Sequence, residues 1–186
     1  IAPAMIASLF INWDLWAIAT MMLAIYWFDR KQYLNSSLVL ALSISTKFLP
    51  IFLLIPIAFI LWRDAKAKEL VKYVAVVALT WLAINAPFAL TTPTGWWRFY
   101  KLNLERGADW GSIWLALEQL GLSLTNLNYL SVLLLLIALT TVAILLFELK
   151  YTPTLASVAF IVLASVMLAS KVYSPQYVLW LTPLAV

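Results

Sequence analysis

The chain has 186 residues, of which 65% are hydrophobic and only 11% charged, and its mean hydropathy is +0.98. A water-soluble domain needs roughly a quarter of its residues charged to cover its exterior, so most of this chain is solvated by lipid. The formal charge of +4 would suggest nucleic acid in a soluble protein, but a polytopic membrane protein retains basic loops on its cytoplasmic side; with neither cysteine nor histidine, disulfide, thiolate and the usual zinc chemistry are excluded.

Ile1 to Ile11 is apolar but shorter than the about 20 helical residues that cross a hydrocarbon core, and reads as the end of an earlier segment. Trp13 to Phe28 is the first clear helix, closed by Asp29-Arg30-Lys31-Gln32. Leu34 to Thr46 follows, ended by Lys47, and Phe48 to Trp62 runs into the charged stretch Arg63 to Glu69. These two are short enough to be tilted spans or a re-entrant pair. Val71 to Leu90 has the length of a full span, with Pro87 where a helix leaves the membrane.

Residues 91–128 contain all four glycines and much of the charge, and read as a structured outer loop with one or two short interfacial helices. Tyr129 to Phe147 is the next span, Glu148 to Tyr151 a turn, and Leu155 to Ser170 a further span. A last helix begins near Gln176 and runs to the end at Val186. The start at Ile1 and the stop inside an apolar run suggest an internal or C-terminal fragment with no readable targeting signal. The expected fold is all-α: a single transmembrane domain fragment over 1–186, a helical bundle of about six or seven spans including partial ones, with the outer loop at about 91–128.

Assigning alternate loops to alternate sides puts Arg30, Lys31, Arg63, Lys66, Lys68, Lys72 and Lys150 on one face and Lys47, Arg98, Lys101, Arg106 and Lys171 on the other. The positive-inside rule makes the first set cytoplasmic. The outer set lies in aromatic and glycine-containing contexts, whereas the inner set occupies short charged connectors.

Several outer residues ask for more than topology. Asn12-Trp13-Asp14 stands at a helix start, where capping and a binding role are both open. Lys47 interrupts an apolar stretch, which costs about 2.5 to 3.5 kcal/mol at mid-helix unless the ammonium snorkels or meets a carboxylate or lipid phosphate. Trp96 to Lys101 has the composition of an interfacial helix in the headgroup zone.

Glu105-Arg106-Gly107-Ala108-Asp109-Trp110-Gly111-Ser112-Ile113-Trp114 is the densest polar run. It suits sugar or phosphate recognition, Arg106 pairing with phosphate oxygens and Trp110 packing on a sugar ring; an Arg106–Asp109 bridge that merely folds the loop explains it equally well. Lys171-Val172-Tyr173-Ser174-Pro175-Gln176-Tyr177 places another cation beside hydroxyls, an amide and a proline turn. Asp14, Lys47, Arg106, Asp109, Lys171 and Gln176 thus converge on one face from distant parts of the chain. Flanked by lipid-facing helices, they suit a ligand with a phosphate head and an apolar tail.

In Asn12-Trp13-Asp14-Leu15, Thr46-Lys47-Phe48-Leu49-Pro50, the run from Glu105 to Trp114 and the run from Lys171 to Tyr177 with its extension Val178-Leu179-Trp180, the sequence resembles the polyprenol-phosphate-mannose-dependent mannosyltransferases of the GT-C superfamily, the group called GT87 or DUF2029. The resemblance extends over essentially the whole chain. It implies a multi-pass enzyme of the cell membrane that transfers a hexose, inverting its anomeric centre, from a polyprenyl-phosphate donor to a lipid-linked or polysaccharide hydroxyl at the extracytoplasmic face. The transfer is expected to be metal-independent or weakly metal-dependent, with no cofactor, no metal ligands among the candidate site residues and no nucleic-acid partner; the partners are donor, acceptor and membrane lipids.

Under that resemblance Lys47, Arg106, Trp110, Lys171, Gln176 and Tyr177 bind substrate, and the three cations stabilise the leaving phosphate. Asp14 and Asp109 are the candidate catalytic carboxylates, although the family's principal base lies in a first outer loop expected before Ile1, so that this fragment alone is expected to be inactive. Two other readings stay open. A transporter or flippase of an amphipathic anion would place polar residues near mid-bilayer, whereas those here lie at predicted helix ends. A non-catalytic subunit would pack through Ala and Ser, since the spans are nearly free of glycine.

Overall fold

A computed structural model describes residues 13–185. Asn12 and the apolar stretch from Ile1 to Ile11 lie outside the described residues. The nine α-helices among the described residues are α1 (Asp14–Asp29), α2 (Tyr33–Thr46), α3 (Leu54–Arg63), α4 (Ala67–Thr91), α5 (Pro93–Glu105), α6 (Ile113–Gln119), α7 (Leu127–Glu148), α8 (Leu155–Ala169) and α9 (Val178–Leu181). Short 3-10 turns at Leu49–Leu53, Pro175–Tyr177 and Thr182–Leu184 each hold a proline in their first two positions. A proline there gives up an N–H that no helical turn would have used.

Two helices, α4 with 25 residues and α7 with 22, are long and apolar enough to cross a membrane. At 1.5 Å per residue they run about 37 and 33 Å, against a hydrocarbon core of about 30 Å. Only 6% of the apolar 18-residue window of either is buried inside the protein. That inverts a soluble core helix: the apolar surface of Val71, Leu79, Leu82, Phe88, Leu133, Leu136, Ile137 and Leu145 faces outward. The sequence suggests six or seven crossings; the other apolar helices are shorter, 16 residues in α1, 14 in α2 and 15 in α8.

The core forms where small residues let backbones approach. Ala17 and Ala24 of α1 face Ser36, Ala41 and Ser43 of α2, all buried. Ser36 Oγ donates to the Ala24 carbonyl and Ser43 Oγ to that of Ala17, each at 2.7 Å, so buried hydroxyls tie the pair together at two levels. Ser36 Oγ also shares a hydrogen bond of 2.8 Å with the Tyr73 hydroxyl, which brings in α4. Helix α8 is the most enclosed: its Leu155, Ala159, Leu163 and Met167 join the main core, while Val158 and Val162 pack with Val142 and Leu146 of α7.

At one end of these helices Arg63 donates to the Leu146 carbonyl at 3.0 Å and to that of Leu149, tying α3 to the C-terminus of α7, and Lys66 Nζ donates to the Tyr33 hydroxyl at 3.2 Å. A cation at the carbonyl end of a helix satisfies orphan acceptors and opposes the negative pole of the dipole. Lys31 and Ala65 make the reversals at this end with φ of 61° and 57°, each followed by the 6→1 backbone hydrogen bond of a Schellman cap.

Residues 91–128, expected to form a loop with one or two short helices, contain α5 and α6. Ser112 caps α6 by accepting from the Leu115 N–H at 3.2 Å, and α5 has no buried residue.

Candidate functional site

The loop between α5 and α6 docks on the loop after α8. The Asp109 N–H donates to the Lys171 carbonyl at 2.9 Å, and the Tyr173 N–H to the Trp110 carbonyl at 3.3 Å, so the two polar runs of the sequence pair through their backbones. Gly111 permits this approach. Its φ is +74°, and a Cβ there would meet the Tyr173 carbonyl oxygen at 2.4 Å. Trp114 Nε1 fastens the far side by donating to the Ala169 carbonyl at 3.0 Å.

Between the joined loops and the end of α2 lies a cleft of about 360 Å³ lined by Lys47, Arg106, Asp109, Trp110, Gln176 and Tyr177, together with residues 172–175. Six residues singled out from sequence therefore share one cavity. Asp14 does not line it. That carboxylate is buried, forms an ion pair with Lys47, and has no hydrogen bond to its second oxygen from the described residues. Asp14 thus touches the cleft only through its ion pair with Lys47, whose side chain is 30% exposed.

Lys171 takes a different place. Its ammonium donates to the carbonyls of Asn103 at 2.8 Å and Arg106 at 2.7 Å and to Oδ1 of Asn128, with a longer contact of 3.4 Å to the Leu104 carbonyl. An ammonium has three protons, and these acceptors use them all. Lys171 closes the C-terminus of α5 and ties it to the start of α7. Burial and the neighbouring Arg106 charge hold its pKa below the ordinary lysine value.

Arg106 and Asp109 form an ion pair whose side chains are 42% and 33% exposed. Asp109 also accepts from the Trp110 N–H at 2.7 Å. That backbone hydrogen bond first, and the guanidinium second, hold its pKa below the ordinary aspartate value. The paired charges of the cleft cancel, Lys47 against Asp14 and Arg106 against Asp109.

A second hollow of about 190 Å³ adjoins the cleft at Lys47, walled by Phe48, Trp81, Asn85, Trp96 and Tyr100 among others. Asn85 organises it: its Nδ2 donates to the Trp81 carbonyl at 2.9 Å and to Ser45 Oγ at 3.3 Å, and its Oδ1 accepts from Trp96 Nε1 at 3.3 Å. Sequence reasoning passes over Asn85, although an amide inside a span is the available signal, since it must find partners there. It also passes over Asn128, which sits one residue into α7 and reads as loop.

Among the described residues no group of three Asp, Glu, His or Cys side chains is gathered to hold a metal ion. Comparison of the chain with protein-family models, with curated proteins and with solved structures finds no match.

Proposed function

We propose that this chain is part of a polytopic membrane glycosyltransferase, a mannosyltransferase of the cell membrane, that moves a sugar from a polyprenyl-phosphate donor to a lipid-linked or polysaccharide hydroxyl at the extracytoplasmic face. The observation that carries the reading is the cleft in which Lys47, Arg106, Asp109, Trp110, Gln176 and Tyr177 meet beside apolar helices whose outward faces suit lipid. Phosphate calls for cations and hydrogen-bond donors, a sugar ring for an indole face and polar amides, and an isoprenoid tail for an apolar flank.

The two ion pairs of the cleft differ in how readily they open. An ion pair as exposed as Arg106–Asp109 is screened by solvent and contributes little, so a phosphate that offers two oxygens to the guanidinium competes easily. The Lys47–Asp14 pair has its carboxylate buried, and breaking it would leave that charge uncompensated. Lys47 is then the fixed cation and Arg106 the mobile one. When phosphate takes Arg106, Asp109 loses one of the two partners that hold its pKa down and becomes a better proton acceptor.

In the transfer the acceptor hydroxyl oxygen bonds to the anomeric carbon while the bond from that carbon to the phosphate oxygen breaks. The electron pair leaves with the phosphate, held by Arg106 and Lys47, and the hydroxyl proton passes to Asp109. The test is mannolipid or mannan formation from polyprenyl-phosphate mannose by the full-length protein in nanodiscs. Arg106→Ala is expected to lower turnover by about 10² to 10³. Wild-type turnover in Arg106→Ala and Asp109→Asn would remove the assignment of the cleft.

A further inference from the structure

We infer that a third cavity, on the other side of the turn that carries Arg106, binds a neutral polyhydroxylated ligand, a sugar. This cavity, of about 690 Å³, is lined by Glu105, Arg106, Gly107, Asn126, Asn128 and Tyr129 along with two leucines. It adjoins the cleft through Arg106, which lines both.

Its chemistry selects for hydroxyls over charge. Glu105 is paired with Lys101 at 3.7 Å and Arg106 with Asp109, so both charges of the wall are already balanced and it offers no net attraction to an anion or a cation. Each sugar hydroxyl both donates and accepts, and the wall supplies a carboxylate that only accepts, a guanidinium that only donates and an amide that does both.

The amide in question is uncommitted. Asn126 occupies the N-cap of α7 with φ of 57°, a place where an Asn side chain ordinarily caps the helix, yet it makes no cap hydrogen bond. Tyr129 lies three residues on, on the same side of the helix, and is 69% exposed. An exposed ring beside free polar groups can pack on the C–H face of a pyranose while its hydroxyl hydrogen-bonds.

The remaining wall is rigid. Asn128 donates to the Leu104 carbonyl at 2.7 Å and accepts from Lys171, so the lysine that closes α5 also fixes one side of the cavity. The arrangement therefore joins a preformed wall to two unengaged side chains, which is how a site keeps its ordering cost low. That this sugar is the acceptor rests on the transfer reading proposed above; the binding itself does not.

The test is saturation-transfer NMR on the full-length protein in nanodiscs, avoiding alkyl maltosides whose headgroup is itself a sugar, with α-1,6-mannobiose and cellobiose as probes. Saturation of at least one disaccharide is expected, with binding weakened roughly tenfold by Tyr129→Ala and by Asn126→Gly, each change removing about one polar or ring contact. Asn126→Gly keeps the left-handed backbone accessible, so a loss there is not a folding failure. Lys68→Gln, at an exposed lysine near the start of α4 that lines neither the cleft nor this cavity, is expected to leave disaccharide binding unchanged. No saturation of either probe, or saturation unaffected by both Tyr129→Ala and Asn126→Gly, overturns the proposal. Disaccharide binding without any binding of polyprenyl phosphate sustains this site and removes the transfer reading.

Discussion

Gly111→Ala is expected to detach the two loops that build the cleft. A Cβ at position 111 would sit 2.4 Å from the Tyr173 carbonyl oxygen, a backbone atom that cannot rotate away, and φ there is +74°. Left-handed backbone costs an L-residue about 1 to 2 kcal/mol. Relieving the clash separates Trp110 from Tyr173, which gives up the hydrogen bond between them and a further about 1 kcal/mol. The sum is roughly 2 to 3 kcal/mol of local stability. Two other glycines provide controls. Gly107 has open space and no left-handed φ, so its alanine variant is expected to behave as wild type; Gly121, with φ of +89° and open space, should show the strain without the clash. Hydrogen exchange of the Asp109 and Tyr173 amides, in the full-length protein in nanodiscs, reads the effect directly. Protection should fall by about 30- to 150-fold in Gly111→Ala, from the same 2 to 3 kcal/mol, and not in the others. Equal protection in the Gly111 and Gly107 variants would refute the account of how the loops meet.

Lys171→Met, which keeps the stem and removes the three protons, should loosen the α5–α7 junction by about 1 to 2 kcal/mol given its partial exposure, seen as faster exchange at the end of α5 with little change in α4. Lys47→Met should cost about 3 to 5 kcal/mol by stranding the buried Asp14, and the double change with Asp14→Asn should recover much of it; additive thermal-denaturation losses would show that the two side chains are not coupled. Asp109 has a folded-state pKa below its unfolded one, so its contribution to loop stability is complete above the ordinary aspartate value and is lost as pH falls through the lowered one. Loop protection should accordingly hold at mildly acidic pH and fall only in stronger acid, a fall that Asp109→Asn should abolish.

Much of the helical order was legible because long apolar runs have one physical reading. Polar punctuation located the ends of α1, α2 and α8 to within about a residue, while α4 begins four residues before its expected start at Val71 because Lys68, Glu69 and Lys72 tolerate helix as well as loop. The reversals at Lys31 and Ala65 were not legible, since neither residue advertises the left-handed backbone it adopts, whereas Gly121 does. Convergence of the site residues was readable from alternating loop sides. What each does there was not: a sequence shows that Lys47 and Lys171 are costly in their setting but not whether the partner is Asp14 or a row of helix-end carbonyls. Asn85 escaped notice because one amide barely dents a hydropathy window, although its three hydrogen bonds shape the aromatic hollow.

The most direct test of the central claim compares polyprenyl phosphate with polyprenol of equal chain length, binding each to the full-length protein in nanodiscs. The account predicts that the phosphate tightens binding by at least about tenfold, that Arg106→Gln removes most of that advantage, and that polyprenol binding is unaffected by the change. Equal affinity for the two lipids, or a phosphate advantage that survives Arg106→Gln intact, would contradict it.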